Sequence, residues 1–277
     1  MGEITMYRKS KDKYFIIMLL LIGSIGMLLP FFWMVSTSFK PANEIFNIPP
    51  TFIPKKPTIQ NYVQLFREMN FGIYLKNTLI IALFSMLGLV INALAGYAFA
   101  KFQFPGKEKI FYLVLATMMI PGQVTMIPVY LMLNKMGLTN TMPGIILPGL
   151  ASAFGIFLFR QFMATIPSEL IEAARIDGAS EFRIFLQIIL PESKPVFAVQ
   201  GTFTFIGAWN SFLWPLIIAN DENLYTLSVG LALLKGQHGS DFGLQMAGST
   251  FLVIPIIIVF LFLQRYFVEG ITITGIK

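Results

Sequence analysis

Charged side chains are missing from six long stretches of this chain: Tyr14–Phe39, Asn77–Ala100, Ile110–Asn134, Met136–Phe159, Pro195–Asn220 and Phe242–Gln264. Each is 23 to 26 residues long and is dominated by Leu, Ile, Phe, Val, Met, Ala and Gly. At about 1.5 Å of rise per residue, such a stretch makes a helix of roughly 35 Å. That exceeds the ~30 Å hydrocarbon core of a bilayer. None of the six alternates apolar and polar residues as a barrel strand would. Apolar around their whole circumference, they predict helices that satisfy their own backbone groups. Pro and Gly within them (Pro30, Gly88, Gly96, Pro121, Pro128, Pro148, Gly155, Pro255) are tolerated in membrane helices. The expected fold is all-α, a polytopic membrane bundle of six transmembrane helices forming one domain over residues 1–277. Six such stretches leave too little polar sequence to clothe a soluble surface.

The polar segments between the stretches set an orientation. Residues 1–13, 101–109, 160–194 and 265–277 together hold 13 Lys and Arg, against 7 in residues 40–76, 135 and 221–241. By the positive-inside rule both termini are expected in the cytoplasm. The net charge of +6 does not point to nucleic acid, because the basic residues lie between spans rather than on one face. The first apolar stretch is too long for a signal-peptide core, so it is expected to be retained as a helix. The first external loop is rich in Pro (Pro41, Pro49, Pro50, Pro54, Pro57), which forbids a long helix until Thr58, after which Asn61–Glu68 is a candidate helix.

The chemistry available to the chain is narrow. There is no Cys and a single histidine, His238, so thiolate and His-based metal sites are excluded and no cofactor is expected. All 14 acidic residues lie outside the six stretches. An acid kept inside a span usually marks a proton or ion route, and that signal is missing here. No Gly-x-x-x-x-Gly-Lys-Ser/Thr loop occurs, so ATP is not bound by that route.

The segment of about 160–195 is more than a connector. Ser168 is placed to cap a helix with Glu169 and Glu172 in its first turn. Asp177-Gly178 then ends it, and a second helix starts near Ser180 with Phe182, Phe185 and Ile189 at helical spacing. The prediction is a bent pair of short helices, read either as an amphipathic pair on the membrane surface or as a docking surface for a cytoplasmic partner.

Glu172-Ala173-Ala174, Asp177-Gly178-Ala179 and Leu190-Pro191 resemble the EAA motif of bacterial ABC importer permeases. The resemblance continues through Ser38-Phe39-Lys40, Asn61-Tyr62, Ile120-Pro121 to Pro128, Gly137-Leu138-Thr139-Asn140-Thr141 and Ala208-Trp209-Asn210-Ser211-Phe212-Leu213-Trp214-Pro215. It extends to Gln264-Arg265-Tyr266-Phe267, Gly270-Ile271-Thr272 and Gly275-Ile276-Lys277, with a departure at Ile273-Thr274. Together these resemble the smaller permease subunit of maltose-type carbohydrate importers. The resemblance implies a second homologous permease subunit as heterodimer partner and two cytoplasmic ATPase subunits. It further implies an extracytoplasmic solute-binding protein, a sugar substrate, and residence in the bacterial cytoplasmic membrane. It assigns ATPase coupling to Glu172, Ala173, Ala174, Asp177, Gly178, Ala179, Leu190 and Pro191, and places sugar selectivity largely in the binding protein and the second permease.

Sugars call for neutral donors and acceptors beside aromatic faces. Gln123, Trp209, Asn210 and Trp214 are candidates for the substrate pathway, with Asn92, Thr125, Ser152, Thr202, Thr204 and Ser211 as further polar residues within the spans. The competing account has Asn210 bonding a neighbouring helix and the Trp residues lying at the interfacial belt. An ion-coupled or passive carrier is the alternative transport class. A membrane enzyme would need a partner constellation for Asp221-Glu222, the exposed external acidic pair, and none is evident.

Overall fold

The computed structural model describes residues 10–237 and 241–273. The described residues form helices and turns without strands. Their contacts group into two units, residues 1–68 with 234–251, and residues 69–233 with 252–277. His238 and Gly275-Ile276-Lys277 lie outside the described residues.

In the first unit, α1 (Ser10–Ser38) is the long apolar N-terminal helix, followed by the short α2 (Ala42–Ile45) and by α3 (Gln60–Glu68). The Pro-rich loop between α2 and α3 is held by a polar knot. Lys40 is fully buried, with its Nζ bonded to the Thr51 carbonyl and lying 4.3 Å from the Trp33 ring centroid. The buried Glu44 carboxylate accepts from Thr51 Oγ1 (3.0 Å) and from the backbone N–H groups of Lys55 (2.8 Å) and Lys56 (3.4 Å). The Lys55 N–H bond is the largest of the effects that hold the Glu44 pKa below the ordinary carboxylate range. Asn61 Nδ2 donates to the Ser38 and Lys40 carbonyls at 2.8 and 2.9 Å, tying α3 to the end of α1. Isolated polar residues in a loop thus satisfy buried backbone groups that no regular element serves.

The second unit is organised on α4 (Phe71–Lys101). Gly88, Asn92 and Gly96 recur at four-residue spacing along one face, where small residues let helices approach closely. A Cβ at Gly88 would meet the Leu150 carbonyl oxygen at 2.6 Å, and one at Gly96 would meet Phe159 Cβ at 2.5 Å. This stripe seats α8 (Ala153–Ala164). Next to α4, α5 (Lys107–Thr117) and α6 (Gly122–Lys135) form a pair bent by 102°. Pro121 accounts for the break, since it lacks an N–H and drives Ile120 out of helical backbone. Gly137, at φ +70°, closes α6, and Asn140 adopts φ +55°. The Asn140 side-chain oxygen accepts from the N–H groups of Asn220 (2.8 Å) and Asp221 (3.0 Å).

Among the described residues four helices are long and apolar enough to cross a membrane, Lys13–Ser38, Phe71–Lys101, Met142–Ala164 and Phe242–Tyr266, with a fifth if the bent pair counts as one span. The all-helical class matches the expectation, while length and composition do not establish the expected count of six. Within Met142–Ala164, α7 (Met142–Ile146) gives way to a 3₁₀ turn and a break before α8. The stretch Pro195–Asn220 is divided between α12 (Lys194–Trp209), 16 residues long, and α13 (Leu213–Ile218). At the break, Thr226 Oγ1 donates to the Ser211 carbonyl (2.9 Å) and Ser228 Oγ donates to the Trp209 carbonyl (3.4 Å). These side chains, with α14 (Leu227–Gln237) starting beside them, serve carbonyls that a continuous helix would have bonded itself. Pro215 falls in the first turn of α13, where no N–H is needed. The acidic pair is structural as well: Asp221 Oδ1 caps a 3₁₀ turn by accepting from Asn223 N–H at 2.9 Å. The last described helix is α15 (Phe242–Ile273).

Candidate functional site

Two places bring together residues singled out by their chemistry. The first is the polar segment after α8. It folds as α9 (Ser168–Ile176), a bend, α10 (Glu181–Ile184), a π-helical turn over Phe185–Ile189, and the single turn α11 (Leu190–Glu192). The N-cap of α9 is Pro167, one residue before the expected Ser168, and no side chain caps it. The end of α9 is a Schellman motif: Gly178 N–H donates to the Arg175 carbonyl (3.0 Å) and Ala179 N–H to the Ala174 carbonyl (2.9 Å). Gly178 sits at φ +79°, where a Cβ is disfavoured by the backbone itself although open space surrounds it. Ser180 then caps α10 by accepting from Arg183 N–H (3.4 Å).

A side-chain brace crosses the bend. Arg175 Nε donates to Glu181 Oε1 at 2.6 Å, and the Tyr97 hydroxyl on α4 donates to Glu181 Oε2 at 3.2 Å. The Arg175 hydrogen bond is the leading reason that the Glu181 carboxyl is held below its usual range, and it raises the Arg175 guanidinium in turn. The π-turn follows from sequence: Pro191 has no N–H to give, and Leu190 N–H reaches back five residues to the Phe185 carbonyl.

This segment has two faces. Ile171, Ile184, Phe185 and Ile189 are buried against Leu89, Ala93, Tyr97, Phe159 and Met163, while Leu170, Phe182 and Leu186 stay exposed, so the bundle takes part of the segment's apolar surface and leaves the rest outward. Ala174, Ala179 and Leu190 are partly buried on the same core. Glu172, Ala173, Asp177, Gly178 and Pro191 are exposed on the described chain. Sequence reasoning missed Ile176, which is 87% exposed. Its signal was available: five residues after the inward Ile171, it falls about 140° around the helix.

The second place is a cavity of about 490 Å³ between α4, α7, α12 and α13. Its polar wall is Ser85, Asn92, Ser152, Gln200, Thr204 and Ser211, and its aromatic wall is Phe154, Phe203 and Trp214. Asn92 holds the break before α8, with its Oδ1 accepting from Ser152 N–H (2.8 Å) and its Nδ2 donating to the Leu150 carbonyl (3.4 Å). Ser152 Oγ caps α8 by accepting from Gly155 N–H at 3.2 Å. Gln200 is buried and its Oε1 has no partner among the described residues.

Of the pathway candidates the cavity takes only Trp214, whose indole N–H donates to the Gly144 carbonyl at 3.3 Å. Trp209 is buried, stacked on Phe205 and bonded through its indole N–H to the Leu252 carbonyl (3.0 Å). Asn210 is exposed at the end of α12, and Gln123 is exposed in the first turn of α6. Asn92, Ser152, Thr204 and Ser211 do meet at the cavity, whereas Thr202 is buried and bonds the Ala198 carbonyl. Gln200 and Ser85 carried no sequence signal beyond being polar inside an apolar run.

The family model for the "binding-protein-dependent transport system inner membrane component" matches residues 88–273, which include both the cavity residues after Ser85 and the whole bent segment. The chain belongs to this family. Among relatives of this transport component, the arabinooligosaccharides transport system permease protein AraQ of Bacillus subtilis is 35% identical over 281 residues, covering 99% of this chain and 98% of the relative. The diacetylchitobiose uptake system permease protein NgcG of Streptomyces coelicolor is 32% identical over 252 residues, covering 89% and 83%. A chain in the crystal structure of a bacterial ABC transporter that imports the acidic polysaccharide alginate superposes with a TM-score of 0.81 at 25% identity, covering 95% of this chain and all of that one. Family membership and the apolar helices together make the binding-protein-dependent permease described here a multi-pass membrane protein.

Proposed function

We propose that this chain is one of two membrane-spanning subunits of an ATP-driven importer for a sugar of di- or oligosaccharide size. It forms half of the translocation path and crosses the membrane six times. The three helical stretches interrupted at residues 118–121, 147–152 and 210–212 each count as one crossing. Both termini lie in the cytoplasm, as the distribution of Lys and Arg favours. A second homologous permease completes the path, two ATPase subunits hydrolyse the ATP, and an extracytoplasmic solute-binding protein delivers the sugar. The sugar names of AraQ and NgcG support the substrate class.

The observation that carries the coupling role is the division of the bent segment into two faces. Ile171, Ile184, Phe185 and Ile189 are used up inside the bundle, while Glu172, Ala173, Asp177 and Gly178 stand outward beside Ile176, the most exposed large apolar residue of the segment, and Leu170 and Phe182 are exposed with it. An outward face that sets exposed apolar side chains beside the small Ala173 and Gly178 suits insertion into a cleft on another protein. Because the bend is fixed by backbone bonds and by Arg175–Glu181, a push on this face reaches α4 through Tyr97.

The test is co-purification and uptake after Ala173→Arg. This exposed position leaves the buried face untouched, so the chain should insert normally yet lose its ATPase subunits and ATP-dependent sugar uptake. Retained ATPase association in the variant, or sugar uptake by the purified chain alone in liposomes, would refute the reading.

A further inference from the structure

The cavity beside α4 carries a statement about the substrate itself. Among the described residues no charged side chain lines it, whereas six neutral hydrogen-bonding side chains and three aromatic ones do. An anionic sugar entering it would give up hydration without gaining a counter-charge, which is the costly case for burial. A neutral sugar exchanges its water bonds for those of Ser85, Thr204, Ser211 and the Gln200 amide, and sets its apolar ring face against Phe154, Phe203 or Trp214. A volume of about 490 Å³ falls within the range of small-molecule sites.

We infer that this cavity is a sugar subsite belonging to this subunit, selective for neutral rings, with Gln200 as a specificity-determining residue. The inference rests on the proposed transport role and deepens it, because that role alone leaves selectivity to the partners. Gln200 is the decisive group. Its amide N–H reaches Thr204 Oγ1 only at 3.5 Å, and its oxygen is buried without a partner among the described residues. Whichever way the amide is turned, one of its polar atoms is buried without a partner among the described residues, on a side chain that lines the cavity. Such orphaned atoms are rare in folded proteins and call for an occupant. The terminal torsion of Gln is soft, so the amide swings to a sugar hydroxyl without moving the helix. By contrast, Asn92 and Ser152 are already engaged in holding the break before α8. A site with few free partners binds weakly, and a translocation site has to release what it binds.

Two features make the inference testable without disturbing the fold. The chain contains no cysteine, so Ser211→Cys places a lone, nearly isosteric thiol in the cavity wall of this subunit. Gly207 lines the cavity, and a Cβ there meets nothing within 4 Å, so Gly207→Phe fills the space without a backbone clash. In the complete complex, turning over ATP with its solute-binding protein, maleimide labelling of Ser211→Cys is followed with arabinotriose, diacetylchitobiose and maltotriose as neutral probes and trigalacturonate as the anionic one. The imported neutral sugar should slow labelling at least fivefold, and trigalacturonate should not. Gln200→Leu should lower uptake of that sugar about fivefold to tenfold, and Gly207→Phe should lower it further, with ATPase association unchanged. Labelling that no neutral sugar slows, or that trigalacturonate slows equally, would overturn the inference even where uptake stays ATP-driven. Protection of Ser211→Cys combined with ATP-independent uptake would instead refute the transport role and leave the subsite standing. Where Gln200→Leu or Gly207→Phe prevents assembly, the labelling result decides alone.

Discussion

Gly178 offers a substitution series in which backbone strain and side-chain size make opposite demands. At φ +79° it lies in the left-handed region, and a Cβ added there meets nothing within 4 Å. The whole penalty for a substitution in this chain is therefore conformational, about 1–2 kcal/mol for a residue such as Ala. That is comparable with what fixes the bend: two Schellman hydrogen bonds at 3.0 and 2.9 Å, each contributing about 0.5–1.5 kcal/mol net, and one exposed ion pair of about 0–1 kcal/mol. A change of 1–2 kcal/mol alters the population of the bent state by a factor of about 5–30. Asn tolerates left-handed backbone, Ala does so poorly and a β-branched residue worst. ATP-dependent uptake in proteoliposomes should therefore fall in the order Gly178→Asn, Gly178→Ala, Gly178→Val, with Asn the mildest and insertion unaffected in all three. Asn is larger than Ala, so a loss that tracks side-chain volume would refute the strain argument and point to steric contact with the partner. Wild-type uptake by Gly178→Val would refute the role of the bend altogether.

Gly96 and Gly72 lie on the same helix and should behave oppositely. A Cβ at Gly96 comes within 2.5 Å of Phe159 Cβ and 2.9 Å of the Arg160 backbone nitrogen, whereas Gly72 has open space. Gly96→Ala should lower thermal stability in detergent by the equivalent of about 1–3 kcal/mol, and Gly72→Ala should not; equal effects would contradict the tight α4–α8 seam. Glu44 gives a pH dependence. Its folded pKa is depressed, chiefly by the Lys55 N–H bond, so its contribution is present above the unfolded carboxyl pKa and is lost as pH falls through the lower folded value. Protection of the loop between α1 and α3 against hydrogen exchange, relative to the intrinsic rate at each pH, should fall on acidification below the ordinary carboxylate range in the wild type, and Glu44→Gln should show the lower protection already at neutral pH. A flat profile in both proteins would count against the polar knot.

The sequence by itself determined the all-helical class, the apolar spans and the bent segment. Length and freedom from charge measure whether a segment tolerates hydrocarbon, and Asp177-Gly178 announces a left-handed turn wherever it occurs, because both are properties of local composition. What composition does not record is continuity. The Ile110–Asn134 and Pro195–Asn220 stretches are equally free of charge, yet each is interrupted, the second where Thr226 and Ser228 satisfy the carbonyls it exposes. Nor does it record which polar residues face one another. Trp209 and Trp214 are five residues apart with similar chemistry, yet one is packed against Phe205 and bonded to Leu252 while the other lines a cavity. Lys40 and Glu44 read as ordinary loop charges until Thr51, Lys55 and Asn61 fold over them. In each case the partner lies elsewhere in the chain, so the deciding quantity is a distance through space, which only the tertiary structure supplies.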